Sequence, residues 1–229
     1  MLGKTRGIVL SFVRYRDTSI IVKIYTEKYG LQTYIENGVR SSRSKNKIAL
    51  FQPMTLLELV VYHDDKKDLH RISEIKCAYP FRSIPYEINK SSIALFLIEM
   101  LGKCLREEAE NKVLFDFLFN SIIVFDELEQ HFENFHLIFL LQLSFYLGFS
   151  PVDANDFIEQ FKEYNLGIQL GEKEESAINQ LIAATYESEL SIGRRLRGHL
   201  LEILILYYRL HIEGMGEIKS LAVLREVMR

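Results

Sequence analysis

Few side chains in the sequence have the types and spacing that catalysis needs. Cys77 and Cys104 are 27 positions apart, so they form no CxxC pair for zinc binding or thiol exchange. His131 and His136 are five residues apart, which places them on different faces of a helix and makes them a poor metal pair. Neither a Walker motif nor a GxGxxG motif is present. The sequence therefore predicts no enzyme, no metal and no cofactor.

A second group of potential metal ligands lies between two predicted strands. It consists of His63, Asp64, Asp65, Asp68 and His70, with two lysines among them. Residues of these types are common in turns, so we interpret the segment as a solvated hairpin connection.

The strongest functional signal is a basic segment, defined here as residues 37–47. It contains Arg40, Arg43, Lys45 and Lys47 with no acidic residue among them. Such cations bind phosphate backbones, although an isolated charge run is more often a solvated loop. Aromatic residues that border the strand ends favour nucleic acid, because bases stack on aromatic rings. One or two of Tyr15, Tyr25, Tyr29, Tyr34 and Phe51 are expected to be free to stack, and Tyr34 is a candidate DNA contact. Further candidate DNA contacts are Arg6, Arg14 and Arg16.

The charge is distributed unevenly along the chain. The whole chain has a net charge of −3. Residues 1–80 carry 14 lysines and arginines against eight acidic residues, whereas residues 81–229 carry 14 against 23. A local positive field attracts a polyanion even when the net charge is negative, so DNA contacts are expected within residues 1–80.

A second basic cluster comprises Arg194, Arg195 and Arg197 at the start of a predicted helix. Cations at a helix N-terminus are disfavoured by the positive end of the helix dipole. An anion bound there would be stabilised by the arginine side chains and by the helix dipole. The alternative is that Glu187 and Glu189 neutralise the arginines.

Residues 1–80 are rich in β-branched and aromatic residues that alternate with a period of two. Five strands are predicted, at Ile8–Val13, Ile20–Tyr25, Leu31–Ile35, Met54–Tyr62 and Leu69–Ala78. Five short strands with one long loop are typical of a small antiparallel barrel, for which the OB fold is the natural candidate.

Residues 81–229 have helical periodicity instead. Six helices are predicted, around residues 93–106, 113–125, 137–145, 176–186, 196–211 and 217–228. Gly148 is the predicted C-cap of the third helix, and Ser191 is the predicted N-cap of the fifth. The predicted fold is therefore α+β, with a five-stranded antiparallel OB-fold domain at residues 1–80 and an all-helical domain at residues 81–229.

The cellular location is predicted from what the sequence lacks. No run approaches about 18 uninterrupted apolar residues, so no membrane span is expected. The first apolar stretch ends at Arg14 and is too short for a secretory signal. Two cysteines suit a reducing compartment, so a cytoplasmic protein is expected.

Several motifs in order resemble the RecO family of bacterial recombination mediators. They are Thr5-Arg-Gly-Ile-Val-Leu10, Tyr25-Thr-Glu-Lys-Tyr-Gly-Leu31, Gly38-Val-Arg-Ser-Ser-Arg-Ser-Lys45 and Leu50-Phe-Gln-Pro-Met54. The resemblance implies an OB fold and a helical domain, binding of single- and double-stranded DNA, strand annealing, and recombinase loading onto strands coated by single-stranded DNA-binding protein. It implies RecR and the tail of the coating protein as partners, and a cytoplasmic, nucleoid-associated location. In that family the tail is acidic with an apolar end, so Arg194, Arg195 and Arg197 are the expected edge of its pocket.

The chain departs from the resemblance at one place. Many RecO-like proteins carry a four-cysteine zinc site after the segment that matches Leu147–Pro151. Here residues 152–172 contain no cysteine and no histidine, so a loop without zinc is predicted, held by Phe157, Phe161 and Tyr164.

Two other readings of the sequence stay open. One is a protein-interaction scaffold whose barrel does not bind DNA. The other is an unrecognised hydrolase whose site forms only in three dimensions.

Overall fold

The computed structural model describes residues 2–40, 47–64, 66–106 and 109–228. The first part of the chain forms five strands: β1 (Leu2–Tyr15), β2 (Ser19–Thr26), β3 (Gly30–Glu36), β4 (Leu56–Tyr62) and β5 (His70–Cys77). They close into a barrel in the order β1-β2-β3-β5-β4, with β4 paired to β1. Neighbouring strands are antiparallel except β3 and β5, which are parallel over two residue pairs. The predicted OB-type barrel is confirmed.

The barrel interior is filled by apolar side chains that have almost no exposed surface. The core includes Val9, Ile20, Val22, Ile24, Tyr34, Leu57 and Val61, together with Val39 and with Phe51 of a short 3-10 helix, Lys47–Phe51. Gly7 lets β1 lie close to this core, because a Cβ at that position would come within 2.7 Å of Ile24 and 2.9 Å of Leu59. Each large apolar side chain buried in this way contributes about 1.5–3 kcal/mol.

Strand β3 presents an unexpected face to the core. Its buried positions are Gly30, Gln32, Tyr34 and Glu36, whereas its apolar positions Leu31 and Ile35 are only half-buried on the outside. The polar groups of the inner face are satisfied locally. Gln32 Nε2 donates to the carbonyl of Tyr29 at 2.7 Å, and Glu36 pairs with Lys47 at 2.7 Å.

Seven α-helices follow in the part of the chain that the structure describes. They are α1 (Ile88–Cys104), α2 (Lys112–Glu127), α3 (Phe135–Leu147), α4 (Ala154–Glu163), α5 (Glu172–Ala183), α6 (Arg194–His211) and α7 (Ser220–Val227). Gly148 caps α3 in the left-handed conformation, with φ +86°, as predicted. The prediction for Ser191 was wrong, because α6 begins two residues later and Gly193 is its N-cap.

Helix α4 corrects the prediction of a loop at residues 152–172. Asp153 begins the helix, since its carboxylate accepts a hydrogen bond from the backbone N–H of Asp156 at 2.8 Å. Phe157 and Phe161 are four residues apart and both are fully buried, so they form the apolar stripe that anchors the helix.

The chain divides into two compact units by packing. Unit 1 is Met1–Tyr86 with Ala94–Ile123, and unit 2 is Glu87–Ile93 with Val124–Arg229. Helices α1 and α2 are therefore shared between the units, whereas the strands all belong to unit 1 and α3 to α7 all belong to unit 2. The predicted domain boundary at residue 80 lies just after β5. The predicted extents of the two domains, residues 1–80 and 81–229, stay predictions.

Candidate nucleic-acid interface

Three exposed arginines gather at one end of the barrel, and we call them the arginine group: Arg14, Arg16 and Arg40. Arg14 lies near the end of β1, and Arg16 lies in the turn that leads to β2, with φ +50°. The backbone N–H of Arg40 donates to the carbonyl of Thr18 at 3.0 Å, and its guanidinium lies 3.4 Å from the carbonyl of Arg16. These contacts fix the start of the basic segment against the β1–β2 turn.

Electrostatically, the arginine group is open to an anionic ligand. All three side chains are exposed, and among the described residues none of them forms an ion pair. The guanidinium of Arg16 lies over the ring of Tyr15, with its carbon 5.1 Å from the ring centre. The only neighbouring acid in the turn is Asp17, so the positive charge of the group is balanced only in part. Guanidinium groups in this setting suit phosphate oxygens.

The basic segment is only partly within the described residues. Arg43 and Lys45 fall outside them. Lys47 is described, and its ammonium group pairs with the buried carboxylate of Glu36 at 2.7 Å. Because that pair neutralises its charge, Lys47 is a weaker candidate for phosphate than Arg40.

The outer face of β1, β2 and β3 lies beside the arginine group. Two rows of residues cross it in register, a polar row of Ser11, Lys23 and Thr33 and an apolar row of Val13, Ile21 and Ile35. Lys23 and Val13 are exposed, and Ile21 and Ile35 are half-buried. The face of the second and third strands is where OB folds bind oligonucleotides. The sequence prediction missed Lys23, although a charged residue between the core residues Val22 and Ile24 of a strand points outward.

Arg6, a predicted DNA contact, is already engaged by two acidic residues in the structure. Its guanidinium donates to both oxygens of Glu27 at 3.0 and 2.9 Å and to Asp116 at 2.6 Å. It also lies over the rings of Phe115 and Phe119, at 5.1 and 4.9 Å. Hydrogen bonding to Glu27, and then to Asp116, raises the pKa of Arg6 above its ordinary value. Arg6 joins the barrel to α2 within unit 1, and its charge is already paired.

Tyr34 also corrects the prediction. Its side chain has no exposed surface, and its ring packs in the barrel core 5.9 Å from that of His70. Burial raises the pKa of its hydroxyl. No ring face is available for a base, so Tyr34 is a core residue.

Two of the potential metal ligands, His63 and His70, lie in a ring stack, and His70 is buried at the start of β5, not solvated as predicted. The ring centres of His63 and His70 are 4.8 Å apart with an angle of 28° between the planes, and Tyr29 stacks on His63 at 4.0 Å. Among the described residues, no three His, Cys, Asp or Glu side chains are grouped around one point where a metal ion would bind.

The second basic cluster borders a cavity of about 320 Å³ in unit 2. Arg194, Arg195 and Arg197 lie along it, and its apolar wall includes Leu201, Leu224 and Met228. Arg225, which the sequence prediction missed, also lines the cavity, but it pairs at 2.6 Å with Glu202, another lining residue, so its charge is neutralised. Arg194 and Arg195 form no ion pair within the described part of the chain, so neither Glu187 nor Glu189 pairs with them directly there. The cavity therefore combines a cationic rim with an apolar wall.

Two groups beside the cavity, one half-buried and one fully buried, have shifted pKa values. Arg197 is half-buried and donates to the carbonyl of Ile192 at 3.3 Å, and burial lowers the pKa of its guanidinium. His136 is fully buried, and burial, with a smaller effect of Arg197, lowers its pKa to about 3. His136 is therefore neutral at physiological pH, and the cationic character of the cavity comes from its arginines.

Comparisons with known proteins identify the family. The family model "Recombination protein O N terminal" matches residues 1–81, and "Recombination protein O C terminal" matches residues 85–222. The chain belongs to the RecO family. DNA repair protein RecO of Phocaeicola vulgatus is 42% identical over 240 residues, with 99% of each chain covered. The DNA repair proteins RecO of Bacteroides fragilis and Flavobacterium psychrophilum are 39% and 38% identical, with 99% and 98% of each chain covered.

Membership of the RecO family places the chain among DNA repair proteins and confirms the resemblance of its motifs. The barrel and the helices both match this family, because the N-terminal family model covers residues 1–81 and the C-terminal family model covers residues 85–222. Within the described residues no helix is both long and apolar enough to span a bilayer.

Residues 152–172 of this member of the RecO family contain none of the cysteines of the zinc site that the resemblance implied. The segment carries no cysteine or histidine, so it does not fit the four-cysteine site that the resemblance implied. In its place, Phe157 and Phe161 of α4 pack on the ring of Tyr207 of α6, at 4.5 and 5.8 Å. The hydroxyl of Tyr207 lies within hydrogen-bonding distance of the carbonyl of Phe149 and, at 2.7 Å, of Gln160 Oε1. The predicted role of Phe157 and Phe161 is therefore supported by their packing.

Proposed function

We propose that this chain is a non-enzymatic recombination mediator that binds single- and double-stranded DNA through its barrel. The observation that carries the proposal is the arginine group, three exposed cations held at one end of an OB-type barrel beside the outer face of β2 and β3. Phosphates would contact the arginines, and bases would lie on the apolar row that contains Val13 and Ile35. Arg43 and Lys45 of the basic segment are expected to extend the same contact.

Annealing follows from binding without covalent chemistry. Two strands whose phosphates are neutralised can approach each other, and base pairing supplies the free energy. We further infer that the protein helps to load recombinase onto single strands coated by single-stranded DNA-binding protein, with RecR and the tail of that protein as partners. We expect this activity to take place in the cytoplasm, in association with the nucleoid.

The arginine-bordered cavity of unit 2 supports the tail as a ligand. An acidic peptide with an apolar end would place its carboxylates on Arg194 and Arg195 and its last side chains against Leu201 and Leu224. Titration of a labelled tail peptide tests this inference. We expect Arg194→Ala with Arg195→Ala to abolish binding, and unchanged binding by that variant would contradict the assignment.

Fluorescence anisotropy of a labelled oligonucleotide tests DNA binding. The wild type is compared, across several salt concentrations, with a variant in which Arg14, Arg16 and Arg40 are alanine. Each phosphate contact contributes about −0.7 to the log-log salt slope on single strands, so the variant should bind more weakly with a slope shallower by about 2.

A matched control changes the same number of charges elsewhere. Lys28, Lys162 and Arg209 are exposed, and they lie away from the arginine group in sequence and in secondary structure. Their replacement by alanine should leave the affinity and the salt slope unchanged. If the arginine variant binds normally and a Lys66→Ala/Lys67→Ala variant does not, the interface lies at the β4–β5 connection instead. No binding by the wild type at low salt would favour a protein-interaction scaffold.

A further inference from the structure

The apolar row on the outside of the barrel does not end at Ile35 of β3. Ile35 pairs with Arg71 of β5, and Arg71 pairs with Tyr62 of β4. Tyr62 in turn lies opposite Leu2 of β1, the strand on which the row begins at Val13. Residues paired directly across adjacent strands point to the same face of a sheet. The apolar row and its continuation through Arg71, Tyr62 and Leu2 therefore form one band around the barrel, which we call the outer band.

Tyr62 and Arg71 present open side chains on the outer band. Tyr62 is 56% exposed, and Arg71 is exposed as well. Within the described residues, neither side chain forms a hydrogen bond, an ion pair or a ring contact. Tyr62 ends β4 and Arg71 is the second residue of β5, so both flank the β4–β5 connection. The loop between the fourth and fifth strands is a second surface through which OB folds bind oligonucleotides.

The aromatic residues that were expected to stack on bases have less free ring surface than Tyr62. Three of them are buried: Tyr25, Tyr34 and Phe51. Tyr15 is half-buried beneath the guanidinium of Arg16, and Tyr29 is half-buried and stacks on His63. Tyr62 is the one exposed aromatic residue of the described strands.

We propose that a single DNA strand held by the arginine group continues along the outer band, where one base stacks on the ring of Tyr62 and a phosphate binds the guanidinium of Arg71. The proposal rests on the DNA-binding function proposed above and names further residues of that site. Proteins that bind single strands without sequence preference combine aromatic rings, on which bases stack, with cations that follow the backbone. The planar guanidinium of arginine suits phosphate oxygens.

The length of the outer band suits a strand of several nucleotides. From Val13 to Tyr62 the band crosses four strand spacings of about 4.8 Å, or about 19 Å along the surface. An OB fold binds about 4–16 nucleotides, so one strand is long enough to contact the arginine group and Tyr62 together. In a duplex each base is paired and stacked on its neighbours, so it is not available to Tyr62. The Tyr62 contact therefore favours single strands, whereas the arginine group can bind both forms of DNA.

Anisotropy titrations of the full chain with an oligothymidine of about 12 nucleotides test the two contacts. Tyr62→Ala should weaken binding at least about fivefold, the lower limit for loss of one stacked base, and should leave the salt slope unchanged because no charge is lost. Tyr62→Phe should bind like the wild type, since the ring stacks without its hydroxyl. Arg71→Ala should make the salt slope shallower by about 0.7, and Arg71→Lys should restore it.

A blunt duplex of the same length separates stacking from general damage to the barrel. Tyr62→Ala should bind the duplex as the wild type does, because a paired base does not stack on this ring. Both residues are exposed, so the urea unfolding midpoint of each variant should match that of the wild type. Arg209→Ala, the matched control at an exposed arginine of α6, should leave the affinity and the salt slope unchanged.

A tryptophan reporter measures the stacking directly. The sequence contains no tryptophan, so Tyr62→Trp introduces a single indole at this position. Stacking of a base on the indole should quench its emission as the oligothymidine is added. Tyr86→Trp, at a residue that is 79% exposed and lies outside the strands, should keep its emission.

Three results would overturn the proposal. They are wild-type affinity for the oligothymidine in Tyr62→Ala and Arg71→Ala, equal weakening of single- and double-strand binding by Tyr62→Ala, and unquenched emission of Tyr62→Trp. The variant of the arginine group tells this failure from that of the proposed function. If that variant loses binding while Tyr62→Ala and Arg71→Ala keep it, the strand takes another path and only the outer-band contact fails. If the wild type binds neither form of DNA, both fail.

Discussion

Replacement of Arg6 by alanine should lower the stability of the protein and leave its affinity for DNA unchanged. The guanidinium makes two hydrogen bonds to Glu27 and one to Asp116, and it stacks on two phenylalanine rings. The side chain of Arg6 is 33% exposed and that of Glu27 is 18% exposed. The interaction is therefore intermediate between a surface ion pair and a buried one.

The loss in the free energy of unfolding is expected to lie between the values for exposed and for buried ion pairs. Exposed ion pairs contribute about 0.2–1 kcal/mol each, and breaking a buried pair costs about 3–5 kcal/mol. Each cation–π contact adds about 0.5–1 kcal/mol. Lys112 lies 3.6 Å from Glu27 and also pairs with Asp116, so it offsets part of the loss. We expect the free energy of unfolding to fall by about 2 kcal/mol, near the middle of the range.

Urea unfolding and the DNA titration together test this prediction. Arg6→Ala should shift the unfolding midpoint and keep the wild-type salt slope. Arg14→Ala, the control, should keep the midpoint and weaken DNA binding, because the Arg14 side chain is exposed and forms no ion pair within the described chain. If Arg6→Ala weakened DNA binding as much as Arg14→Ala while remaining stable, Arg6 would be a DNA contact and the reasoning would be refuted.

The pH dependence of Arg6→Ala gives a second measurement. The hydrogen bond from Arg6 lowers the pKa of Glu27 below its ordinary value. A carboxyl whose pKa is lower in the folded state stabilises the protein above its unfolded pKa, about 4.3, and this contribution is lost as the pH falls below that value. The wild type should therefore lose stability more steeply than Arg6→Ala on acidification below about pH 4.3.

Three further variants test buried polar groups, each by urea unfolding. Lys90 is 1% exposed, and its ammonium group donates to the carbonyls of Asp126 and Leu128 at the end of α2. Lys90→Met leaves those acceptors without this donor, so it should lower the free energy of unfolding by about 1–3 kcal/mol. Burial lowers the pKa of His136 to about 3. Because the unfolded state takes up a proton below about pH 6.5, the free energy of unfolding should fall from pH 6.5 toward pH 3 by up to about 1.4 kcal/mol per pH unit. His136→Asn should make this pH dependence less steep. The Tyr34 hydroxyl has no hydrogen-bond partner among the described residues, so Tyr34→Phe should leave stability unchanged or raise it by up to about 1 kcal/mol, without effect on DNA binding.

Local patterns were sufficient to predict most of the elements. Alternation of β-branched residues located all five strands, and Gly148 marked the end of α3. Helix α4 was not predicted, because it lies where zinc-binding relatives carry a four-cysteine site, and the absence of those cysteines predicted a loop. Its own residues held the signal, since Asp153 is a good N-cap and Phe157 and Phe161 lie one turn apart.

The site was harder to predict than the fold because side chains find partners far along the chain. Asp116 pairs with Arg6 across 110 positions, and no local pattern in the sequence connects the two. The closeness of Arg40 to Arg16 likewise depends on the return of β3 to the β1–β2 turn. Composition correctly indicated which part of the chain is basic, whereas the tertiary fold decides which of its cations are free to bind a ligand.

The inverted face of β3 is a case in which tertiary contacts override the local pattern. A rule that buries the apolar residues of a strand would place Leu31 and Ile35 in the core and Tyr34 outside, and the structure has the reverse. Gln32 and Glu36 can lie inside because each has a partner there, at the carbonyl of Tyr29 and at Lys47. The inversion leaves the apolar side chains of Leu31 and Ile35 half-buried on the outer face of the barrel. Beside three exposed arginines, such a face offers apolar contacts to bases, so the residues that contradict the simple pattern support the proposed DNA interface.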